Sequence, residues 1–193
     1  SGIMGTELSD DAGVPLIINA ISTIFALALL IQVLGPISGA HFNPVVTLVS
    51  AAQRELSLSK SLAFIAAQIS GAISGSLLAN AMFNLPLAQI SGHDRVTQGT
   101  LIGEVVATAG LIIVIGTFVA RKNEALIPIA VAAWIGSAYF FTSSTSFANP
   151  AVSLGRVFTD TFAGPERSLM PKPTIVLVHG AWADGSSWNP VSA

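Results

Sequence analysis

Charged residues divide the chain into long apolar stretches and short polar joints. No Asp, Glu, Lys or Arg occurs in residues 12–53, 61–93, 105–120 or 125–155. A helix needs about 20 apolar residues to cross the hydrocarbon core of a bilayer. The pattern therefore predicts four membrane-spanning helices, at Leu16–Leu34, Leu62–Met82, Leu101–Ala120 and Ala125–Thr142.

The composition supports this assignment. Hydrophobic residues make up 52% of the 193 residues and charged residues only 9%, whereas soluble domains carry roughly a quarter charged residues. The sequence therefore predicts an all-α, multi-pass protein of the cell membrane, with the lipid bilayer as its partner. A net charge of −2 argues against nucleic acid as a partner. The absence of cysteine excludes disulfides and thiolate zinc sites, and we expect no cofactor.

Basic residues in the joints predict the orientation. Arg54 and Lys60 lie between the first two spans, and Arg121 and Lys122 lie between the last two. Because short cytoplasmic loops are enriched in Lys and Arg, we expect both joints on the cytoplasmic side. The acidic N-terminal segment and the loop at 93–95 then face outward.

Two further segments are too apolar for solvent and too broken for long helices, at 38–48 and 146–155. Each contains an Asn-Pro pair, Asn43-Pro44 and Asn149-Pro150, followed by about two turns of apolar sequence. Asn is a favoured N-cap, and Pro fits the first helical position because its missing donor has no partner there. The pairs predict short half-helices that start at Asn43 and Asn149.

A half-helix at membrane depth leaves backbone donors and carbonyls that only protein or a water-filled cavity can satisfy. Two half-helices on opposite faces therefore predict a polar pathway, with their positive N-terminal ends converging as in inverted-repeat membrane proteins. A single Asn-Pro pair is more typical of a turn. Two copies, each beside a membrane span, favour the half-helices, whose Asn side chains we expect close together.

Polar and small residues within the spans suggest further contacts. Glu104 opens the third span, where a carboxylate needs partners inside the bundle. We expect it to accept hydrogen bonds from a half-helix loop, the alternative being an interfacial Glu that reaches toward water. Gly71 and Gly75 lie four residues apart in the second span. This spacing is typical of a helix-packing seam, or alternatively of a pore wall.

The paired motifs resemble those of a known family. Residues Ser38–Thr47 match the pattern S-G-A-H-x-N-P-x-V-T, and the second motif is Asn149-Pro150-Ala151. Both are similar to the signature of the major intrinsic proteins, the aquaporins and aquaglyceroporins. The resemblance implies a passive, non-enzymatic channel with an aquaporin-like inverted repeat. It also implies a pore constriction formed by the residues of both motifs, namely Asn43, Pro44, Val45, Asn149, Pro150 and Ala151, with Glu104 as structural support.

Members of that family have six membrane helices and two half-helices, and they assemble as homotetramers. This chain matches helices two to five and both half-helices, and Gly2–Gly5 resembles the end of helix one. We therefore expect a channel domain at residues 1–165 that lacks the first and sixth membrane helices. A non-functional channel remnant is the corresponding alternative.

The resemblance also implies a selectivity filter. Counting from the two Asn residues places it at Thr23, Ser137, Ser146 and Val152, with an uncertainty of one residue at Ser137. Since the family usually has Arg where Val152 stands, the filter is expected to be wide and uncharged. Arg156, one turn further along, would substitute for that Arg in part or pair with Asp160. Such a filter is similar to those of bacterial channels for glycerol and for arsenite in its neutral form, arsenous acid.

The last residues have a different character. Residues 170–182 read Met-Pro-Lys-Pro-Thr-Ile-Val-Leu-Val-His-Gly-Ala-Trp, which is similar to the first strand and oxyanion loop of α/β-hydrolases. No Gly-x-Ser-x-Gly nucleophile motif is present. We expect residues 166–193 to form a separate tail in which Thr174–Val178 is extended or disordered. The alternative function is the N-terminal part of a hydrolase fusion.

Overall fold

The computed structural model describes residues 1–92 and 97–160. Within these ranges all regular secondary structure is helical. A short 3-10 turn at Glu124–Leu126 precedes the sixth α-helix. The α-helices are α1 (Gly2–Leu8), α2 (Gly13–Ser38), α3 (Pro44–Ala52), α4 (Leu58–Met82), α5 (Gln98–Ala120), α6 (Ile127–Phe141) and α7 (Pro150–Arg156).

The four predicted spans are confirmed as α2, α4, α5 and the segment Glu124–Phe141, each long and apolar enough to cross a membrane. The observed helices extend beyond the predictions at several ends. α2 continues past Pro36 to Ser38 and stops at Gly39, whose φ of 75° is left-handed. α6 is shorter than predicted because the 3-10 turn replaces its first residues.

Both half-helices form where the Asn-Pro pairs predict them. The Oδ1 atom of Asn43 accepts a hydrogen bond from the backbone N–H of Val45 at 2.9 Å. In the same way, Asn149 accepts one from the N–H of Ala151 at 3.0 Å. Each Asn adopts an extended backbone, and the following Pro occupies the first turn. The caps satisfy donors that would otherwise be orphaned at a helix start.

Large side chains pack against glycines where the long helices cross. The Trp134 ring of α6 lies where a Cβ at Gly110 of α5 would be, and its Nε1–H donates to the Ala107 carbonyl at 2.8 Å. Ile24 of α2 likewise fills the space beside Gly136 of α6. Close approach at small residues is typical of helices packed in membranes.

The contact between α4 and α7 depends on Gly155. A Cβ there would lie 2.8 Å from the carbonyl oxygen of Ala72 on α4, closer than real Cβ contacts allow. Gly71 and Gly75, by contrast, have no other group within 4 Å of the position that a Cβ would occupy. The expected packing seam at these two glycines is therefore not formed within the described residues. The neighbouring Ala72 makes the close contact instead.

Some predicted features lie outside the described residues. They are the outer-loop residues 93–95, the tail 166–193 and the predicted extended segment Thr174–Val178.

The close contact at Gly155 generates a test of the packing. Gly155→Ala should destabilise the protein by about 1–3 kcal/mol, since the new methyl group meets backbone that cannot rotate away. Gly71→Ala, on an open face of α4, should be neutral or slightly stabilising because Ala is the better helix former. The measurement is the midpoint temperature of unfolding in detergent. Equal midpoints for the two variants would contradict the packing described here.

Candidate functional site

The polypeptide leading into each half-helix is bent by residues with left-handed backbone conformations. Before α3, Ala40 and Phe42 have φ angles of 44° and 47°, and before α7, Ser146 and Ala148 have φ angles of 48° and 46°. Such conformations cost a non-glycine residue on the order of 1–3 kcal/mol. Both loops therefore need contacts that hold them in place.

The two Asn side chains hold these loops reciprocally. The Nδ2 atom of Asn43 donates to the carbonyl of Ala148 at 2.7 Å, and the Nδ2 atom of Asn149 donates to the carbonyl of Phe42 at 2.7 Å. Each accepting carbonyl belongs to the residue directly before the opposite Asn. Each Asn thus caps its own half-helix and fixes the other loop, so the two N-termini meet.

The first loop has a further set of partners around Thr47, which is fully buried. Its hydroxyl donates to the carbonyl of Asn43 at 3.2 Å. It also accepts from the Gln68 amide of α4 at 3.0 Å and contacts His41 Nδ1 at 3.1 Å. The His41 ring packs against Phe64 with centroids 5.4 Å apart. These contacts attach the first loop and α3 to α4.

Glu104 of α5 supports the second loop. Its two carboxylate oxygens accept hydrogen bonds from the backbone N–H groups of Phe147 at 3.0 Å and Ala148 at 2.7 Å. Charge-assisted bonds of this kind are stronger than neutral ones. The carboxylate therefore satisfies two consecutive donors of the loop that no helix or sheet can pair.

Asn80 anchors the far end of α7, and sequence reasoning did not identify it. It is fully buried near the end of α4. Its Nδ2 donates to the carbonyls of Leu87 at 3.1 Å and Phe158 at 3.0 Å, and its Oδ1 accepts from the Thr159 hydroxyl at 3.0 Å. The one signal in the sequence was that Asn80 is an amide within an apolar span, where a polar side chain needs hydrogen-bond partners.

A cavity of about 730 Å³ runs along the two loops. Residues of α2, α3, α5, α6 and α7 form its walls. Asn43 and Asn149 both line it, and Glu55 and Glu124 from the polar joints line one end. Elsewhere the walls are mostly aliphatic, with side chains such as Leu27 of α2. A largely apolar passage with a few fixed polar groups suits a small uncharged molecule.

Three of the four predicted filter residues, Thr23, Ser146 and Val152, line this cavity. Ser137 does not. Its hydroxyl donates to the carbonyl of Ala133 at 2.9 Å, and the residue is exposed. Ser137 lies two residues after Ile135, which lines the cavity. Since an α-helix turns about 100° per residue, the Ser137 side chain points to nearly the opposite side of α6.

The filter assignment of Ser137 stays a prediction, and α6 contributes Tyr139 to this cavity. The Tyr139 hydroxyl lies 3.1 Å from the Thr23 hydroxyl and accepts from the Asn19 amide at 3.3 Å. Counting back from Asn149 fixes a number of residues. It does not fix the rotation of α6, because the intervening loop is irregular. One feature of the sequence could have drawn attention to Tyr139, since it is the single tyrosine of the chain.

Arg156 also lines the cavity, one turn beyond Val152. Its guanidinium lies 5.6 Å from the centroid of the Phe147 ring, a distance typical of a cation–π contact. No group of three or more His, Cys, Asp or Glu side chains is placed to bind a metal within residues 1–92 and 97–160.

The contacts of Glu104 lead to a second test. Glu104→Gln replaces one acceptor oxygen with an NH₂ donor, so one loop N–H faces a donor. We expect a loss of about 1–3 kcal/mol, the cost of one unsatisfied buried group. The measurement is the midpoint temperature of unfolding in detergent. Glu7→Gln, on the exposed part of α1, is the control, and an equal midpoint for both variants would refute the assigned contacts.

Comparison with known proteins places these features in a family. The sequence profile described as Major intrinsic protein matches residues 3–164. Aquaglyceroporin AqpS of Rhizobium meliloti is 42% identical over 181 residues, covering 94% of this chain and 77% of the relative.

Shorter matches join the chain to eukaryotic proteins. Aquaporin-5 of Mus musculus is 40% identical over 75 residues, covering 38% of this chain and 28% of the relative. The lens fiber major intrinsic protein of Rattus norvegicus is 31% identical over 113 residues, covering 55% and 43%. No solved structure matches the chain closely enough to count as similar. The chain belongs to the major intrinsic protein family and is a multi-pass membrane channel for water and small solutes.

Proposed function

We propose that the channel passes small neutral polyhydroxy solutes together with water, passively and without a cofactor, through the cavity between the half-helices. The observation that carries the proposal is the reciprocal pair of Asn hydrogen bonds. Each NH₂ group has two N–H bonds, and only one is used on the opposite loop. The second N–H of both amides is available to oxygen atoms of a solute in the cavity that both residues line.

The proposed constriction consists of the two Asn-Pro motifs. Pro44 and Pro150 start the half-helices, and the capped N–H groups of Val45 and Ala151 follow directly. The positive ends of both helix dipoles face the same region, which disfavours cations there. Asn43 and Asn149 then offer donors without charge. Glu104 keeps the second loop in position and has no proposed contact with solute.

Solute selection is proposed for the part of the cavity lined by Thr23, Tyr139, Ser146 and Val152. None of these side chains carries a charge, and three carry a hydroxyl group. A ring of hydroxyl and aliphatic groups favours a neutral molecule with several oxygen atoms over an ion, which loses its hydration shell without replacement.

The solute class is consistent with one named relative. AqpS is called an aquaglyceroporin, a name that refers to water and glycerol. Glycerol and arsenous acid are both small, neutral molecules with three hydroxyl groups. We propose glycerol-sized polyols as the main class and arsenous acid as a further solute of similar chemistry.

The assembly and domain limits belong to the same proposal. We propose a channel domain at 1–165, supported by the family profile over residues 3–164, and a separate tail at 166–193. Large apolar side chains such as Phe25, Leu29 and Ile113 are exposed on the long helices. Such side chains suit contact with lipid or with neighbouring copies in a homotetramer.

Stopped-flow light scattering of proteoliposomes tests the function directly. Liposomes with the protein should shrink and re-swell faster than protein-free liposomes under a glycerol gradient, and shrink faster under a sucrose gradient. Glycerol flux equal to that of protein-free liposomes would overturn the proposed solute class.

Val152→Arg tests the position of the filter. The guanidinium narrows the ring and adds a fixed positive charge with several donors. We expect glycerol flux to fall more than water flux, and any proton or cation leak to fall as well. Val152→Met adds similar length without charge, so it should narrow the passage but leave an ion leak largely unchanged. Equal proportional losses of water and glycerol flux in Val152→Arg would move selection to Asn43 and Asn149.

A further inference from the structure

Three polar side chains form a cluster in the apolar wall between α2 and α6. Asn19 is 4% exposed and Tyr139 is 9% exposed. The Nδ2 atom of Asn19 donates to the Tyr139 hydroxyl oxygen at 3.3 Å, and the Thr23 and Tyr139 hydroxyls are 3.1 Å apart. The Oδ1 atom of Asn19 accepts from the Ser1 hydroxyl at 2.8 Å. The Asn19 amide is therefore oriented with its donor side toward Tyr139.

Counting hydrogens in this cluster leaves one without an acceptor. Thr23 and Tyr139 each carry one O–H, and their mutual bond uses one of the two. Asn19 presents a donor to Tyr139, so it cannot accept the other. The described residues contain no further hydrogen-bond partner for either hydroxyl. Whichever hydroxyl donates within the pair, the hydrogen of its partner stays uncommitted.

Both Thr23 and Tyr139 line the cavity, so we infer that the uncommitted hydrogen is available to a molecule inside it. A further hydroxyl among the residues that line the cavity, that of Ser146, also lacks a partner within the described part of the chain. Ser146 is 2% exposed, and its Oγ atom is buried without a hydrogen-bond partner among the described residues. Polar groups buried in this way normally have a partner. A molecule with oxygen atoms inside the cavity would supply it.

We propose that Thr23 and Tyr139 act as one hydrogen-bond donor for solute oxygen atoms, oriented by Asn19. This inference rests on the proposed function and names the groups that replace the water lost by a polyol in the filter. Val152, which also lines the cavity, offers no donor, so the hydroxyl pair compensates for the apolar side chain. Asn19 is a positioning residue, because it acts on solute only through Tyr139.

If Thr23 and Tyr139 share one donor, single and double substitutions should differ in an unusual way. Thr23→Val removes one hydroxyl, but the Tyr139 O–H then points into the cavity. Tyr139→Phe removes the other, but the Thr23 O–H is then released. Either single variant keeps one donor, and only the double variant has none. Both replacements nearly preserve side-chain volume, so the width of the passage changes little.

The experiment compares glycerol and water permeability of the protein and its variants in proteoliposomes. The glycerol-to-water ratio should change less than twofold in each single variant. It should fall about fivefold in the double variant, which corresponds to one net hydrogen bond. The ratio is the readout because loss of folded protein lowers both fluxes equally. Thr117→Val is the matched control, since this hydroxyl donates within α5 to the Ile113 carbonyl at 2.7 Å and does not line the cavity.

The outcomes separate this inference from the proposed function. A parent protein that conducts water but no glycerol overturns the proposed solute class. A parent that conducts both, with the same ratio in the double variant, overturns the donor pair alone. A ratio that falls equally in one single variant and in the double variant also overturns the pair, since that result assigns the donor to one residue.

A second measurement tests the pair without requiring flux. Because the chain contains one tyrosine, labelling tyrosine with ¹³C at ring carbon Cζ gives a single tyrosine resonance from the protein. Its chemical shift reports hydrogen bonding at the phenolic oxygen. The resonance should move in Thr23→Val and stay unchanged in Thr117→Val. It should also move when glycerol is added to the parent protein. No movement in Thr23→Val would overturn the pair.

Discussion

The reciprocal hydrogen bonds between the two Asn residues and the opposite loops are the interaction on which the rest of the structure depends. Backbone without regular hydrogen bonds is expensive at membrane depth. Each loop that precedes a half-helix places a carbonyl where the amide of the other Asn can reach it. The same side chains cap their own helices. Neither half of the arrangement is complete without the other.

Other polar side chains satisfy further backbone groups of the loops and half-helices. Glu104 accepts from two loop N–H groups, Thr47 connects the first half-helix to α4, and Asn80 donates to the Phe158 carbonyl beyond α7. All three side chains form hydrogen bonds with the backbone of a loop or half-helix. An apolar side chain at the same position could not form them. Close helix contacts form at glycines, at Gly136 between the long helices α2 and α6 and at Gly155 between α4 and the half-helix α7.

In the proposed function, the part of the cavity that selects solute does so through neutral groups. Val152 adds no charge to the wall, and the hydroxyls of Thr23, Tyr139 and Ser146 provide polarity along it. An ion entering such a passage loses water and gains only weak dipoles, whereas a polyol exchanges hydrogen bonds nearly one for one. Selection then depends on how many donors and acceptors are uncommitted. That number is set by contacts within the wall, such as the one between Asn19 and Tyr139.

The sequence by itself determined the four spans, the two half-helices and the need of Glu104 for partners, because these follow from local rules. Twenty apolar residues fit a bilayer, Asn caps a helix, Pro fits the first turn, and a carboxylate in a span requires donors. The meeting of Asn43 with the second loop was also foreseeable, from the duplication of one motif. The rotation of each helix was not.

Only the tertiary structure decided that Tyr139 lines the cavity, that Asn80 anchors α7, and that Gly155 makes the close contact while Gly71 and Gly75 remain open. Each of these facts depends on which face of a helix meets its neighbour. In a soluble protein, alternating polar and apolar faces reveal that direction. In a membrane helix, lipid and protein interior are equally apolar, so the sequence carries little record of it. Packing of side chains against glycines then sets the rotation.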